Sequence, residues 1–535
     1  MSDIGHTIGA REAVAASGEN ERIIRRKRRI LKAAIFATGL AGIVAEYIMA
    51  TLASYLLGNA VVQWTMTISI MLFAMGLGSR ISKVIRHHLV DAFIVLELAL
   101  SLLCALSATG IYLLSVYIES IGFVIYLVAI SIGVLVGLEI PLATRINSLF
   151  EELRLNISSV MEKDYYGALL GGLLFAFVAL PMLGLTYTPI ILGSVNFAVA
   201  AALFVQYRQA VRFPRSLIAG FAVVLVLLTV LALYAKPIVM FSEQKKYRDT
   251  IIFEQQTPYQ KIVMTRWKDN YWLYLDGHEQ FSTYDEALYH EPLVHPAFAV
   301  SRRHENILLL GAGDGMAVRE ILKYPQVKSI TLVDIDPAMT ELARTHPVLT
   351  RFNDNALQDE RVRIVNSDAY VFLRENSDLY DIILIDLPDP RTIALARLYS
   401  KEFYTLCVKN LIEGGVLVTQ ATSPFYSLEA YLSILKTMRA AGIPAVPLHN
   451  NIPTMGEWGW VLGMNSRRLD DAGLKQRLIE ADYSELDTRF LNDDAVLGML
   501  QFGKGVLERL DSVQVNDEFN LALYRYYQAG SWDIY

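Results

Sequence analysis

Charge is spread very unevenly along this chain. Residues 31–235 hold only 19 of its 102 Asp, Glu, Lys and Arg residues, and the other 330 positions hold 83. The second proportion is that of an ordinary soluble domain, about 25%. The first leaves too little polar surface for one. The 535-residue chain therefore reads as a membrane half followed by a soluble half, which excludes a disordered, fibrous or purely cytosolic protein. Crossing a bilayer takes about 20 mostly apolar residues, and seven runs qualify, near 31–57, 61–79, 90–114, 121–144, 166–185, 188–207 and 216–235. Small residues four apart, Gly133 with Gly137 and Gly167 with Gly171, would let such helices approach closely.

The first 30 residues form a basic tail with Arg22, Arg25, Arg26, Lys27, Arg28 and Arg29, and the apolar run after it is too long for a cleaved signal peptide. Basic residues then crowd the second, fourth and sixth connections, so the positive-inside rule predicts a multi-pass protein of the plasma (inner) membrane with a cytoplasmic N-terminus. Seven crossings would place the soluble half outside. The fourth run, interrupted by Glu139 and Pro141, is the candidate for a re-entrant segment that would reverse this, but the charges of the sixth connection then face the wrong way; the reading leans to an extracytoplasmic domain. Four runs carry an acid in or beside the apolar stretch: Glu46 and Glu139, the better placed for a polar cavity, and Glu97 and Asp164, nearer run ends. A net charge of −6 gives no nucleic-acid signal, and Cys104 and Cys407 make neither a disulfide framework nor a metal site.

After the bundle (31–236), residues 250–284 read as a small β-sheet turning at Asp276-Gly277. Short β runs at 307–310, 329–333, 362–365, 382–385 and 416–420 then alternate with helical patterns, predicting a parallel, doubly wound Rossmann-like domain over 285–465. Residues 466–535 form a C-terminal extension whose aromatic-rich end is the least legible stretch.

The chemistry lies at the strand ends. The first strand runs into Gly311-Ala312-Gly313-Asp314-Gly315, a turn that lets the backbone approach a ligand at a helix N-terminus. The second ends at Asp334, twenty residues past Asp314, where an acid binds ribose hydroxyls. Asp368 and Ala369 follow the third strand, where adenine can be read. Solvated loop acids are the ordinary alternative, but three acids at successive strand ends outline a nucleoside site. Such a site repels phosphate and suits a cationic sulfonium of the S-adenosylmethionine type. Asp314, inside the glycine turn, can pair with the ammonium group of the ligand tail and disfavours a tail carboxylate. The fourth strand ends in Asp386-Leu387-Pro388-Asp389-Pro390, whose two acids can hold and deprotonate an amine.

With Tyr259-Gln260, the stretch Leu275-Asp276-Gly277-His278-Glu279-Gln280-Phe281-Ser282, then Asp285-Glu286 and Tyr289-His290-Glu291, these motifs resemble the spermidine synthase family of polyamine aminopropyltransferases over about residues 250–465. The apolar half resembles that family's membrane-fused branch. The resemblance implies Asp386 as the catalytic acid and Asp389 as holder of the amine. It places Asp314, Tyr289 and His290 around the aminopropyl group and the amine. Gln260, Gly311, Gly313, Asp334, Asp368 and Ala369 fall on the nucleoside side. It implies decarboxylated S-adenosylmethionine as co-substrate, methylthioadenosine as product, a polyamine acceptor with putrescine as default, no metal, and a homodimer in the lipid bilayer. Two departures lie on the amine side: Leu387 follows the catalytic acid where Ser or Thr is usual, and Pro453-Thr454 stands where many members have a Tyr-Pro pair. Two readings stay open, a methyl or aminocarboxypropyl transferase using S-adenosylmethionine itself, and a polyamine transporter or sensor.

Overall fold

The computed structural model describes residues 3–58, 60–118, 120–148 and 152–532, apart from the side chains of 3–24 and 153, so the side chain of Arg22 in the basic cluster lies outside what is described. The chain divides into two compact units, Met1–Arg248 and Asp249–Tyr535.

The first unit is helical: α1 (Asp3–Leu57), α2 (Ala60–Ile81), α3 (Leu89–Ser115), α4 (Ile121–Asn147), α5 (Leu153–Leu174), α6 (Leu180–Gln206) and α7 (Pro214–Lys246). Among the described residues six helices are long and apolar enough to cross a membrane, one fewer than the sequence runs. The difference lies in Arg154–Gln206, a 53-residue helical stretch that contains the fifth and sixth runs. At 1.5 Å per residue it would be about 80 Å long, far more than a bilayer core. It is broken at Gly184, where φ 62° and ψ −172° leave helical space. The fourth run is one helix through Pro141, without the interruption expected there.

Glycines set the helix pairing. A Cβ on Gly133 would sit 2.9 Å from the Met71 carbonyl, and one on Gly137 would sit 2.1 Å from that of Met75, so α4 runs parallel to α2 in close backbone contact. Gly167 lies against Phe36 and Gly171 against Leu40, making α5 parallel to α1. Gly193 lies against the Ser101 carbonyl, while Asp91 at the start of α3 accepts the amides of Arg212 and Phe213 beyond the end of α6. Hence α6 runs antiparallel to α3.

In the second unit β1 (Thr250–Gln256), β2 (Lys261–Trp267), β3 (Asn270–Leu275) and β4 (His278–Ser282) form an antiparallel sheet in that order. Asp276 and Gly277 both take positive φ at the β3–β4 turn, as a two-residue hairpin of this type demands. Then follow α8 (Ala287–Val300), β5 (Asn306–Gly311), α9 (Met316–Leu322), β6 (Ser329–Asp334), α10 (Pro337–Thr345), α11 (Pro347–Phe352), β7 (Val362–Asn366) and α12 (Ala369–Glu375). The chain continues through β8 (Tyr380–Asp386), α13 (Ile393–Arg397), α14 (Lys401–Lys409), β9 (Leu411–Gln420), α15 (Leu428–Ala440), β10 (Ala445–Ile452) and β11 (Gly456–Met464). Helices α16 (Asp471–Glu480), α17 (Asp493–Met499) and α18 (Ala522–Gln528) close it.

Seven strands make one sheet in the order β10-β11-β9-β8-β5-β6-β7. Its five predicted strands are parallel, but β10 and β11 add an antiparallel hairpin with β11 beside β9, so the sheet is mixed. The buried apolar runs of β5, β8 and β9 explain their central places.

Candidate active site

The carboxyl ends of β5, β6 and β8 meet at the glycine turn. A side chain on Gly311, at φ 82°, would strike the Asp386 carbonyl at 2.0 Å, and the Ala312 amide donates to that same oxygen at 3.2 Å. A Cβ on Gly313 would come within 2.5 Å of Asp334 Oδ2. Both glycines therefore serve to bring backbone against an acid of the site. Asp314 is buried, accepts the Met316 amide at 2.8 Å at the start of α9, and is raised above its ordinary pKa chiefly by that burial. Asp334 accepts the Asp336 amide at 2.8 Å, and desolvation lifts it to about 6.

Gln260 reaches the same corner from the small sheet, donating to Asp336 Oδ2 at 3.0 Å beside Thr257 at 2.8 Å. Asp368 caps α12 by accepting the amides of Tyr370 and Val371, and Ala369 is buried behind it. The residues expected on the nucleoside side thus share one edge of the sheet.

On the other side of the turn Tyr289 donates its hydroxyl to Asp386 Oδ1 at 2.5 Å. Asp386 is half-buried, packed about with protein yet open to the crevice, and desolvation raises its carboxyl to about 6. Tyr289 also meets the ring of Trp460 edge-on at 5.4 Å, an apolar wall that sustains the desolvation. Asp389, likewise lifted to about 6 by burial, accepts from Gln420 at 3.3 Å and from the Tyr527 hydroxyl at 3.0 Å. His290 is fully buried with Nδ1 3.1 Å from Glu286. Burial pulls its pKa down, but the Glu286 hydrogen bond and the neighbouring acids prevail and bring it to about 8. Glu286 is also bound by Arg319 at 2.9 Å and by Arg489; His290 and then Arg319 outweigh its burial and hold it well below the usual carboxylate range. Thr454, at one of the two departures, holds Asp285 through its amide and hydroxyl at 2.9 and 3.0 Å.

Sequence reasoning missed Gln420, Tyr527 and the Glu286–Arg319–Arg489 cluster. Gln420 ends a sheet strand and carried the same positional signal as the acids. Tyr527 comes from the C-terminal extension, where nothing local marks it. That extension is part of the second unit.

The arrangement offers a sulfonium nucleoside an acid-lined cleft, and an amine two carboxylates that titrate near neutrality. The family model for the spermine/spermidine synthase domain matches residues 286–471. Polyamine aminopropyltransferase 2 of Aquifex aeolicus is 45% identical over 499 residues, covering 93% of this chain and 98% of the relative. The chain belongs to the polyamine aminopropyltransferase family. The aminopropyltransferase of Leptospira interrogans is 39% identical over 91% of this chain and 95% of its own length. A solved spermidine synthase in complex with the transition-state analogue AdoDATO covers 49% of this chain and 89% of its own at 22% identity and a TM-score of 0.45. By its curated relatives this chain is a spermidine synthase-like aminopropyltransferase, with an apolar helical unit ahead of its enzyme domain.

Proposed function

We propose that the enzyme moves the aminopropyl group of decarboxylated S-adenosylmethionine to a di- or polyamine, with putrescine as the default acceptor, and releases methylthioadenosine. The observation that carries this reading is Asp386, held by the Tyr289 hydroxyl and titrating near 6, three residues before a second carboxylate of the same kind. An alkylammonium with a pKa of about 10 has no lone pair to attack with. Asp389 holds the ammonium and Asp386 accepts its proton. The freed nitrogen attacks the methylene carbon on the sulfonium, the C–N bond forms, and the C–S electron pair passes to sulfur to leave a neutral thioether. Asp314 and the Tyr289–His290 pair place the aminopropyl tail, while Gln260, Asp334, Asp368 and Ala369 hold the nucleoside. Positioning and charge pairing supply the acceleration. The buried Asp314 favours the decarboxylated tail over S-adenosylmethionine itself.

Purified protein should release methylthioadenosine in an amine-dependent way. Asp386→Asn should lower kcat by about 10²- to 10⁴-fold, the usual contribution of a general base. No release with putrescine, cadaverine, agmatine or spermidine would refute the reading. We further propose that the helical unit anchors the enzyme in the inner membrane through seven crossings and that the enzyme is a homodimer. Supporting the crossings, α2 and α4 are parallel, α1 and α5 are parallel, α6 opposes α3, and Gly184 separates the fifth run from the sixth. Sedimentation of the detergent-solubilised protein tests the dimer.

A further inference from the structure

Among its described residues the helical unit buries five acids of two kinds. Asp91 is satisfied by the amides of Arg212 and Phe213, and Glu243 by Tyr55 and Lys246. These two have structural partners. Glu97, Glu139 and Glu46, at 0%, 4% and 7% exposure, lie inside α3, α4 and α1. Both carboxylate oxygens of Glu97 are without a hydrogen-bond partner. Glu97 and Glu139 interact electrostatically, Asp164 of α5 interacts with Glu139, and the Cys104 thiol feels the charge of both Glu97 and Glu139.

Independent polar groups point the same way. Ser101, one helical turn beyond Glu97 and on its face, is fully buried with its hydroxyl unpartnered. Gly193 packs on the Ser101 carbonyl, and since α6 runs antiparallel to α3, Asn196 falls one turn back, level with Glu97. Asn196 is buried too, with its Oδ1 unpartnered. No Lys or Arg occurs at 33–79, 87–144 or 164–207, so no cationic residue lies along these stretches to meet the acids. A carboxylate at such depth is costly unless something pairs with it.

Among the described residues no group of three or more His, Cys, Asp and Glu is arranged to hold a metal ion. Acids distributed over several helices suit an extended ligand with several N–H donors better than a compact ion. We propose that the helical unit contains a binding site, centred on Glu97, Glu139, Ser101 and Asn196, for a protonated linear aliphatic amine. The amine is of the class the enzyme domain handles, and in that respect the inference rests on the function proposed above.

Equilibrium binding of radiolabelled spermidine to the full-length protein in lipid nanodiscs tests this. With the enzyme site disabled by Asp386→Asn and Asp389→Asn, the protein should still bind spermidine. Adding Glu97→Gln, or separately Ser101→Leu to replace the hydroxyl with an apolar chain, should weaken that binding about tenfold or more, the effect of losing a hydrogen bond to a charged group. Glu97→Gln alone should leave methylthioadenosine release intact, which also certifies folding. Loss of all spermidine binding in the Asp386/Asp389 variant, binding indifferent to both bundle substitutions, or displacement by equimolar Mg²⁺ would overturn the proposal. Absence of methylthioadenosine release from the unaltered protein would fall on the reaction reading instead, because binding sensitive to Glu97→Gln stands apart from it.

Discussion

Tyr527 donates to Asp389 from 138 positions further along the chain, and with Gln420 it fixes where that carboxylate points. Its loss should therefore be felt by the amine and not by the nucleoside. Tyr527→Phe removes one hydrogen bond worth about 1 kcal/mol, so the KM for the amine should rise about fivefold while that for the nucleoside stays put. The acids themselves set the pH dependence. In the proposed mechanism Asp386 and Asp389 act ionised, and burial lifts both to about 6, so kcat/KM should fall as pH drops through about 6. A pH–rate profile whose acid limb lies at the ordinary carboxylate range would contradict the desolvated site.

At the scale of elements, the glycine turn and α8 do most of the positioning. Gly313→Ala places a methyl group against Asp334, whose carboxylate must shift, so nucleoside affinity should drop in a binding titration while the amine KM changes little. Helix α8 carries Tyr289 and His290 into the site and is anchored at its start by Glu286 on Arg319 and Arg489. Removing that charge takes the buried counter-ion from the His290 imidazole and from Arg489 and leaves Arg319 with Glu320 alone, and Glu286→Gln should cost about 3 kcal/mol, read as a lowered Tm. The sign with pH follows from both partners. Glu286 is depressed, so its contribution is present above the ordinary carboxylate pKa and lost as acid reaches its folded value. His290 is raised, so its contribution is complete below about 6.5 and disappears as pH rises through about 8. Thermal melts should show Tm falling between these last two values, and less so in Glu286→Gln.

For the whole molecule, the proposed seven crossings from a cytoplasmic N-terminus would put the enzyme unit outside the cytoplasm, against the expected cytoplasmic source of its nucleoside. The pairing of α4 along α2 supports a full crossing at the fourth run, and α7 enters beside the start of α3, with Gly220 against Leu98. Reporter fusions after Arg248 should be active only on the outer face. Activity confined to the cytoplasm would overturn that orientation.

The sequence by itself determined the division into an apolar and a charged half, because the cost of burying charge acts residue by residue and leaves its mark on composition. It also determined the strand-end acids, since a βα turn brings each to one edge of a parallel sheet whatever surrounds it. The small sheet with its Asp276-Gly277 turn was legible for the same local reason. Tertiary structure decided what depends on distant segments meeting. It joined the fifth and sixth runs into one helical stretch broken at Gly184 and inserted β11 beside β9. It brought Tyr527 to Asp389, and it left Glu97, near the start of its run, buried with neither oxygen paired. Desolvation and hydrogen bonding depend on neighbours in space, and residues far apart along the chain do not specify them until it folds.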